Sequence, residues 1–310
     1  MNPLVDISLA THNGAAYLQD FLRSLESQDA SGWRLLARDD GSTDGTLSLL
    51  SGFARDRAGT AILRTSPTEG AVRNFAEVLA ASSAPYIMPA DQDDVWLPHR
   101  IRTCLDGIRA LEHLHGPGTP ALFFTDLEVV DEKLDTICGS FWRHEGLSPD
   151  DGLRLERLVV RNVSPGCAMI VNRALMNAAL PLPPEALMHD WWLMMVACAV
   201  GVMAYDVDTT VKYRQHGGNV LGARRRSVGE RLRRFMLEGQ KVRSVVRATQ
   251  RQACALLERH RDLMDERNSR TLAAYCNADR RSAAAHRLAC LRAGIGSNGL
   301  LSTAGLYALL

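Results

Sequence analysis

Val5–Leu9 is a compact apolar run that breaks into the polar Thr11-His12-Asn13-Gly14. Beyond it, Leu18, Phe21, Leu22 and Leu25 recur at i, i+3, i+4 and i+7, which predicts an amphipathic helix. Trp33–Arg38 predicts a second strand closed by Asp39-Asp40-Gly41-Ser42, and Thr43–Arg57 a helix with Asp44 in its first turn. Ala61–Leu63 predicts a third strand, Asn74–Ala81 a helix, and Tyr86–Pro89 a strand ending at Asp91. Strand and helix alternating at this spacing imply βαβ crossovers and a mostly parallel sheet covered by helices, so the fold class is α/β. Ligands of such sheets sit beyond the carboxyl ends of the strands. Both acidic clusters, Asp39-Asp40 and Asp91-Gln92-Asp93-Asp94, fall at such ends.

The middle of the chain is more mixed. Ala121–Thr125 and Cys167–Val171 read as buried strands, Asp190–Val200 as a helix opened by an acid, and Val202–Asp206 and Thr210–Arg214 as two short strands. Long Arg-rich helices are expected over about 227–265 and 269–290. Charge sharpens that division. The net charge of +1 over 310 residues is a sum of opposite parts. Residues 1–222 hold 18 Lys and Arg against 28 Asp and Glu, whereas residues 223–292 hold 18 against 7. An acidic body, 1–222, with a basic helical extension, 223–310, follows, and the partner of the extension is expected to be anionic. No apolar run approaches the ~18 residues needed to span a membrane. Seven cysteines without a CxxC pair argue against a disulfide framework and point to the reducing cytoplasm.

The acidic clusters carry the chemistry. Carboxylates crowded at a strand end repel one another unless a cation neutralises them. Mg²⁺ takes few protein carboxylates and completes its shell with water and phosphate oxygens, so the DxD of Asp91 and Asp93 suits a metal held against a diphosphate. The alternative is a solvated acidic loop, but Tyr86-Ile87-Met88-Pro89 and Val95-Trp96-Leu97 flank these acids with apolar residues. Asp39 and Asp40 are placed to accept from a base N–H or a ribose hydroxyl, while Ser42, Thr43 and Asp44 are explained by helix capping. His189-Asp190-Trp191-Trp192 sets a carboxylate beside aromatic bulk, where partial desolvation raises basicity and suits a general base. An N-cap Asp with a core tryptophan pair is the competing explanation. His216, between Tyr213-Arg214-Gln215 and Gly217-Gly218-Asn219, is a structural histidine or a metal or phosphate ligand. No GxGxxG, GxxxxGK[ST], HExxH or GxSxG occurs, and the cysteines lack zinc spacing.

Taken together, these stretches resemble the family 2 glycosyltransferases of the GT-A fold, and among them the bacterial rhamnosyltransferase-like members. The matching segments are Ile7–Gly14, Asp39–Thr46, Gly70–Phe75, Asp91–Pro98, Gly166–Met169, His189–Trp192 and Tyr213–Gly222, in family order. DQDDVWLP, HDWW and YRQHxxN carry the rhamnosyl likeness. The resemblance implies a Rossmann-like sheet flanked by helices, with a C-terminal helical extension. It implies that Thr11, Asn13, Asp39 and Asp40 hold the nucleotide, with Arg73, Asn74 and Asp91 near the donor. It further implies a divalent metal, Mg²⁺ or Mn²⁺, at Asp91, Asp93 and His216, with Asp94 in support, and Asp190 as the base of an inverting transfer. The implied donor is dTDP-rhamnose, with UDP- and GDP-sugars as alternatives, and the acceptor a polysaccharide or lipid-linked glycan. His12 departs from the Tyr or Phe common in the family's first loop, and the QxxRW of processive synthases is missing, which favours transfer of one sugar.

The basic residues 223–292 allow three readings: a helical cap on the catalytic body, peripheral contact with an anionic membrane at its inner face, or oligomer formation. Nucleic acid is not expected, since no aromatic platform accompanies the charge. Two rival classes for the whole chain are a nucleotidyltransferase and a non-catalytic nucleotide-sugar or membrane-binding protein. The first wants a Lys-bearing phosphate loop, and the three lysines, Lys133, Lys212 and Lys241, all lie elsewhere.

Overall fold

A computed structural model of the chain describes residues 3–63, 67, 70–217, 239–276, 282–296 and 300–310. The expected features at 218–222, Arg224–Arg226 and the start of the Arg-rich helix, 227–238, lie outside these residues.

The apolar runs of the first ninety residues form the parallel half of one sheet. β1 (Val5–Thr11), β2 (Trp33–Asp39), β3 (Ala61–Leu63) and β4 (Tyr86–Asp91) lie in the order β3-β2-β1-β4. They are joined by α1 (Leu18–Glu26), α2 (Thr46–Asp56) and α3 (Ala71–Ala80). Leu18, Phe21, Leu22 and Leu25 all bury one face of α1, as their spacing requires. Register then does something the spacing alone does not reveal. Thr11 pairs with Asp39 on one side of β1, and Ala10 pairs with Asp91 on the other, so the two acidic clusters flank one strand end.

Asp6 sits fully buried in the middle of β1. Desolvation raises its carboxyl, yet Arg34 at 2.6 Å, the Ser82 hydroxyl and the N–H groups of Ala84 and Ser83 outweigh it and hold the group below its ordinary value. The same contacts tie β2 and the α3–β4 turn to β1.

The second half of the sheet is mixed. β8 (Met169–Asn172) runs antiparallel between β4 and β6 (Ala121–Val130). β6 pairs parallel with β9 (Val202–Arg214), and β5 (Val95–Trp96) closes the far edge against β9. A short β7 (Thr136–Cys138) pairs with the end of β6. The two strands expected over Val202–Asp206 and Thr210–Arg214 are thus one. Its polar centre, Asp206 to Asp208, lies opposite register shifts around Asp126, which absorb the irregularity without breaking the pairing.

α4 (Arg100–His115) covers one face of this half; the short α5 (Phe141–Glu145), α6 (Leu155–Leu158) and α7 (Arg173–Ala179) follow, and α8 (His189–Val200) lies in the other core, buried on nearly every side. That core does not stop at residue 217. Ala253, Leu256 and Leu257 of the helix Gly239–His260, and Leu272 and Tyr275 of Glu266–Cys276, pack in the same cluster as Trp192 and Met194. Each fully buried Leu contributes about 1.5–3 kcal/mol. Arg259 donates to the carbonyls of Ala179, Leu180 and Pro181, and Gln252 accepts from Leu187 N at 2.8 Å. Among the described residues no helix is long and apolar enough to cross a membrane, and all seven cysteines are free thiols.

Candidate active site

The loop after β1 is built on a chain of side-chain and backbone donors. Thr11 Oγ1 donates to Asp39 Oδ1 at 2.9 Å, and Ser42 donates to the same carboxylate through its N–H at 2.8 Å and its hydroxyl at 2.5 Å. Asp40 accepts from Arg38 at 3.3 Å and from Gly70 N at 3.1 Å. Gly70 sits at φ +133°, a conformation L side chains rarely adopt, and so delivers its N–H to Asp40 at the entry of α3. Arg38, fully buried, also reaches Glu77 at 2.7 Å and Asn74 at 2.9 Å, while Asn74 Nδ2 donates to Thr11 O at 3.0 Å. One buried guanidinium thereby joins β2, α3 and the end of β1.

Asn13, at φ +46°, accepts from Thr43 N at 2.9 Å and donates to Ser42 Oγ from its own N–H at 2.7 Å. These contacts occupy Ser42 and Thr43 and leave no cap role for them. α2 starts instead at Thr46, whose N–H and hydroxyl both donate to Asp44 Oδ1, at 3.0 and 2.5 Å. Those donors hold Asp44 below the usual carboxylate range. Gln92, the middle residue of the DxD, braces the same loop: its amide pairs with His12 N and His12 O, both at 2.9 Å.

Asp91, Asp94 and Cys167 converge, with one donor atom from each lying within 4.8 Å of the others. Desolvation, then the neighbouring charges, raises both carboxyls: Asp93 and Asp190 act on Asp91, and Asp93 and Asp91 on Asp94. Asp94 is 0 % exposed; its Oδ1 accepts from Arg214 N at 3.2 Å, its buried Oδ2 has no hydrogen-bond partner, and the Cys167 thiol lies beside the carboxyl. Asp93 stands outside this trio. Its carboxylate meets His216 Nε2 at 2.8 Å, while its carbonyl accepts from Arg214 Nε at 2.8 Å. Arg214 also reaches Glu132 O and Asp20, and Tyr17 lies under both Arg214 and the His216 ring. A cluster of desolvated carboxylates with an orphaned buried oxygen suits a divalent cation. The residues present fit such an ion.

Asp190 opens α8 at 6 % exposure. Burial pushes its carboxyl up to about 6, against the N–H groups of Trp191 at 2.6 Å and Gly166 at 3.1 Å, which favour the ionised form. His189 beside it stacks on Phe75 of α3, centroids 3.7 Å apart, and burial lowers its imidazole to about 3, so the ring is neutral. Gly166 thus ties Asp190 to the turn whose next residue, Cys167, lies beside Asp91 and Asp94, and the charge of Asp190 adds to the raising of Asp91.

Of the residues expected from sequence, Thr11, Asn13, Asp39, Asp40 and Asn74 form one connected network, and Asp91 lies between it and Asp190. Asp93 and His216 form a pair at its rim, and Arg73 is exposed on the first turn of α3. Gln92, Arg38, Gly166 and Cys167 are participants that the sequence reading did not assign. A polar residue inside an otherwise apolar strand was the available signal for Arg38; Cys167 reads simply as a buried apolar residue.

The chain is similar to known proteins in sequence and in fold. The family profile described as glycosyl transferase family 2 matches residues 6–174. The dTDP-rhamnosyl transferase RfbG of Shigella flexneri is 23% identical over 232 residues, covering 69% of this chain and 74% of that one. An uncharacterised glycosyltransferase of Haemophilus influenzae is 23% identical over 228 residues, covering 69% and 66%. Among solved structures, S. aureus TarS 1-349 in complex with UDP superposes at a TM-score of 0.57 with 13% identity, covering 90% of this chain and 73% of that one. The mannosyltransferase PcManGT of Pyrobaculum calidifontis, in complex with GDP-Man and Mn²⁺, gives 0.55 with 15% identity, covering 100% and 86%. With the sheet order, the strand-end acids and the profile match in agreement, the chain belongs to glycosyl transferase family 2 and is a glycosyltransferase of GT-A fold.

Proposed function

We propose that this glycosyltransferase moves one L-rhamnose from dTDP-rhamnose to a hydroxyl of a polysaccharide or lipid-linked glycan, with inversion and with a divalent metal. The observation that carries the reading is the link from Asp190 to the acidic cluster: Gly166 N donates to Asp190 at 3.1 Å, and the next residue, Cys167, lies in the trio with Asp91. Asp190 accepts the proton of the acceptor hydroxyl, whose oxygen then attacks the anomeric carbon from the face opposite the leaving diphosphate. A single displacement inverts that carbon. Asp190 is held for this task by Gly166 and Trp191 and kept basic by burial.

Thr11, Asn13, Asp39 and Asp40 form the nucleotide pocket, with Arg73 and Asn74 on the donor side. Each carboxylate has about four acceptor positions, so Asp39, with three internal donors, retains one for a base or ribose. Asp91 and Asp93 would hold Mg²⁺ or Mn²⁺, with His216 and Asp94 beside them. Such an ion, when bound, supplies positive charge to the departing nucleoside diphosphate. The relative named a dTDP-rhamnosyl transferase favours the rhamnosyl donor, and the UDP and GDP-Man complexes of structural neighbours keep UDP- and GDP-sugars as alternatives.

The test is a donor screen read by nucleoside-diphosphate release with dTDP-rhamnose, UDP-sugars and GDP-sugars. Turnover with dTDP-rhamnose that exceeds the others at least tenfold is expected. Equal or greater turnover with a UDP- or GDP-sugar overturns the rhamnosyl assignment, and release from none overturns the transferase reading of these residues.

A basic helical extension from about residue 223 accompanies the catalytic body in this reading, and it makes peripheral contact with an anionic membrane. Leu288 and Leu291, both exposed on the helix Ala283–Arg292 between Arg287 and Arg292, support that contact.

A further inference from the structure

Cys167 is the unexpected member of the acidic cluster. It rides on the one-turn helix Gly166–Ala168, which is fixed from both sides. Gly166 N donates to Asp190 Oδ2, and the Cys167 carbonyl accepts from Arg100 Nη2. Arg100 is itself fully buried, with Nη1 on Thr210 Oγ1 at 2.7 Å and its guanidinium over Trp96 at 4.5 Å. The thiol, on a residue 1 % exposed, lies beside the Asp94 carboxyl, whose buried Oδ2 has no hydrogen-bond partner, and partly exposed Asp91 completes the trio.

We infer that Asp91, Asp94 and Cys167 form a binding site for a thiophilic divalent cation of the Zn²⁺ and Cd²⁺ class, distinct in donor chemistry from the oxygen-only set that suits Mg²⁺. Tetrahedral Zn²⁺ takes S at about 2.3 Å and carboxylate O at about 2.0–2.2 Å, which sets neighbouring donors about 3.4–3.7 Å apart. The donor atoms of the trio, all within 4.8 Å of one another, reach that spacing by closing about 1 Å. A thiolate in the set selects against Mg²⁺ and for softer ions, and Zn²⁺ stands above Mn²⁺ in intrinsic affinity for such donors. Binding displaces the thiol proton to solvent and leaves a neighbouring position for water.

Because Asp91 belongs both to this trio and to the proposed Mg²⁺ or Mn²⁺ set, a bound thiophilic ion excludes the catalytic one. That consequence rests on the function proposed above; the site itself does not.

The test titrates metal-free full-length protein with Cd²⁺ and follows the ultraviolet thiolate-to-cadmium charge-transfer band, with no sugar donor or acceptor present. One equivalent is expected to bind and develop the band. Cys167→Ser should abolish it and weaken binding at least tenfold, while a Cys254→Ser/Cys276→Ser double variant, altered on the C-terminal helices, keeps it. Thermal melting confirms that the Cys167 variant is folded, and Cys167→Ala and Asp94→Asn repeat the test if serine disturbs the buried turn. No band in the wild type, or a band undiminished in the Cys167 variants, overturns the site. These outcomes are read independently of transfer, so a failed donor screen leaves them intact. With a working donor, Zn²⁺ should inhibit wild type at concentrations at least tenfold below those needed for Cys167→Ser; equal sensitivity overturns the exclusion.

Discussion

Gly166 N donates to Asp190 Oδ2 at 3.1 Å, and the space where Gly166 would carry a side chain is filled by His189 Nε2. The glycine is therefore what lets a neutral imidazole pack against the backbone that holds its neighbouring carboxylate. A Cβ at this position would land well inside the contact distance of that nitrogen. Gly166→Ala is expected to destabilise the chain by about 1–3 kcal/mol, as overpacking does, and to lower transfer by moving the N–H off Asp190. His189→Ala in the same chain vacates that space and should restore part of both losses. A double-mutant cycle on melting and on kcat reads the coupling, and strict additivity would show the two residues to be independent.

Asp190 also sets a pH dependence. With its carboxyl raised to about 6, the basic form grows from about one-tenth at pH 5 to about nine-tenths at pH 7, so kcat should rise roughly tenfold across that interval. The stability effect runs the other way. The folded state binds this proton more tightly than the unfolded chain, whose value is 3.8, so the stabilising contribution is complete below 3.8 and is lost as pH rises to about 6. Above that, the buried charge costs up to about 3 kcal/mol. Asp190→Asn should therefore abolish transfer while melting at or above the wild-type temperature at pH 8. A variant that retains turnover, or one that melts well below wild type, contradicts this account.

The fold could be read from sequence wherever one face of an element is buried and the other wet. α1 shows this in Leu18, Phe21, Leu22 and Leu25, and β2 and β4 end at the expected acids, Asp39 and Asp91. It could not be read where pairing is a property of distant strands. β6 runs on to Val130 because β9 lies beside it, and β9 stays whole through Asp206 for the same reason. α2 begins three residues later than capping preferences suggest, because Ser42 and Thr43 serve Asp39 and Asn13 across the loop. In the site, acids at strand ends were legible as a class; the entry of Asp94 and Cys167 in place of Asp93 into the tight trio depends on side-chain direction, which spacing does not encode.

Metal should register in stability as well as in rate. Asp91 and Asp94 are raised by burial and by neighbouring carboxylates, Asp93 acting on both, so a divalent ion that neutralises them is bound by the folded chain alone. Mn²⁺ or Mg²⁺ at about 100 times its dissociation constant should stabilise by about 2.7 kcal/mol, and EDTA should remove that increment together with transfer. Asp91→Asn should show neither the melting shift nor the EDTA response. A shift of equal size in this variant would move the ion elsewhere.

Arg38 is the most exposed dependency of the nucleotide loop, although it is itself wholly buried. It pairs with Asp40 and Glu77 and supplies Asn74 with the hydrogen bond that aims its amide at Thr11. Arg38→Met keeps the chain length of the side chain but removes the guanidinium that pairs with the buried Asp40 carboxylate. Removing one partner of a buried pair costs about 3–5 kcal/mol. Denaturant unfolding should show a loss of that order, and donor affinity measured by calorimetry should fall with it. An unfolding free energy within 1 kcal/mol of wild type would mean the ion pair is dispensable.

The basic extension offers a test that leaves the core intact. Truncation is unsuitable, because Leu256, Leu272 and Tyr275 belong to the core that contains Trp192. Leu288 and Leu291 are exposed, at 47% and 63%, and sit beside Arg287 and Arg292 on one short helix. Leu288→Asp/Leu291→Asp adds two negative charges and removes exposed apolar area at two positions outside the buried core, so stability should change by less than about 1 kcal/mol. Wild-type chain should float with vesicles containing anionic phospholipid and remain at the bottom with neutral ones, with flotation suppressed by high salt. The double variant should lose flotation from the anionic vesicles. If it floats as the wild type does, the helix Ala283–Arg292 is not the membrane contact; if the wild type never floats, the arginines of this region are a solvated face of the helical cap.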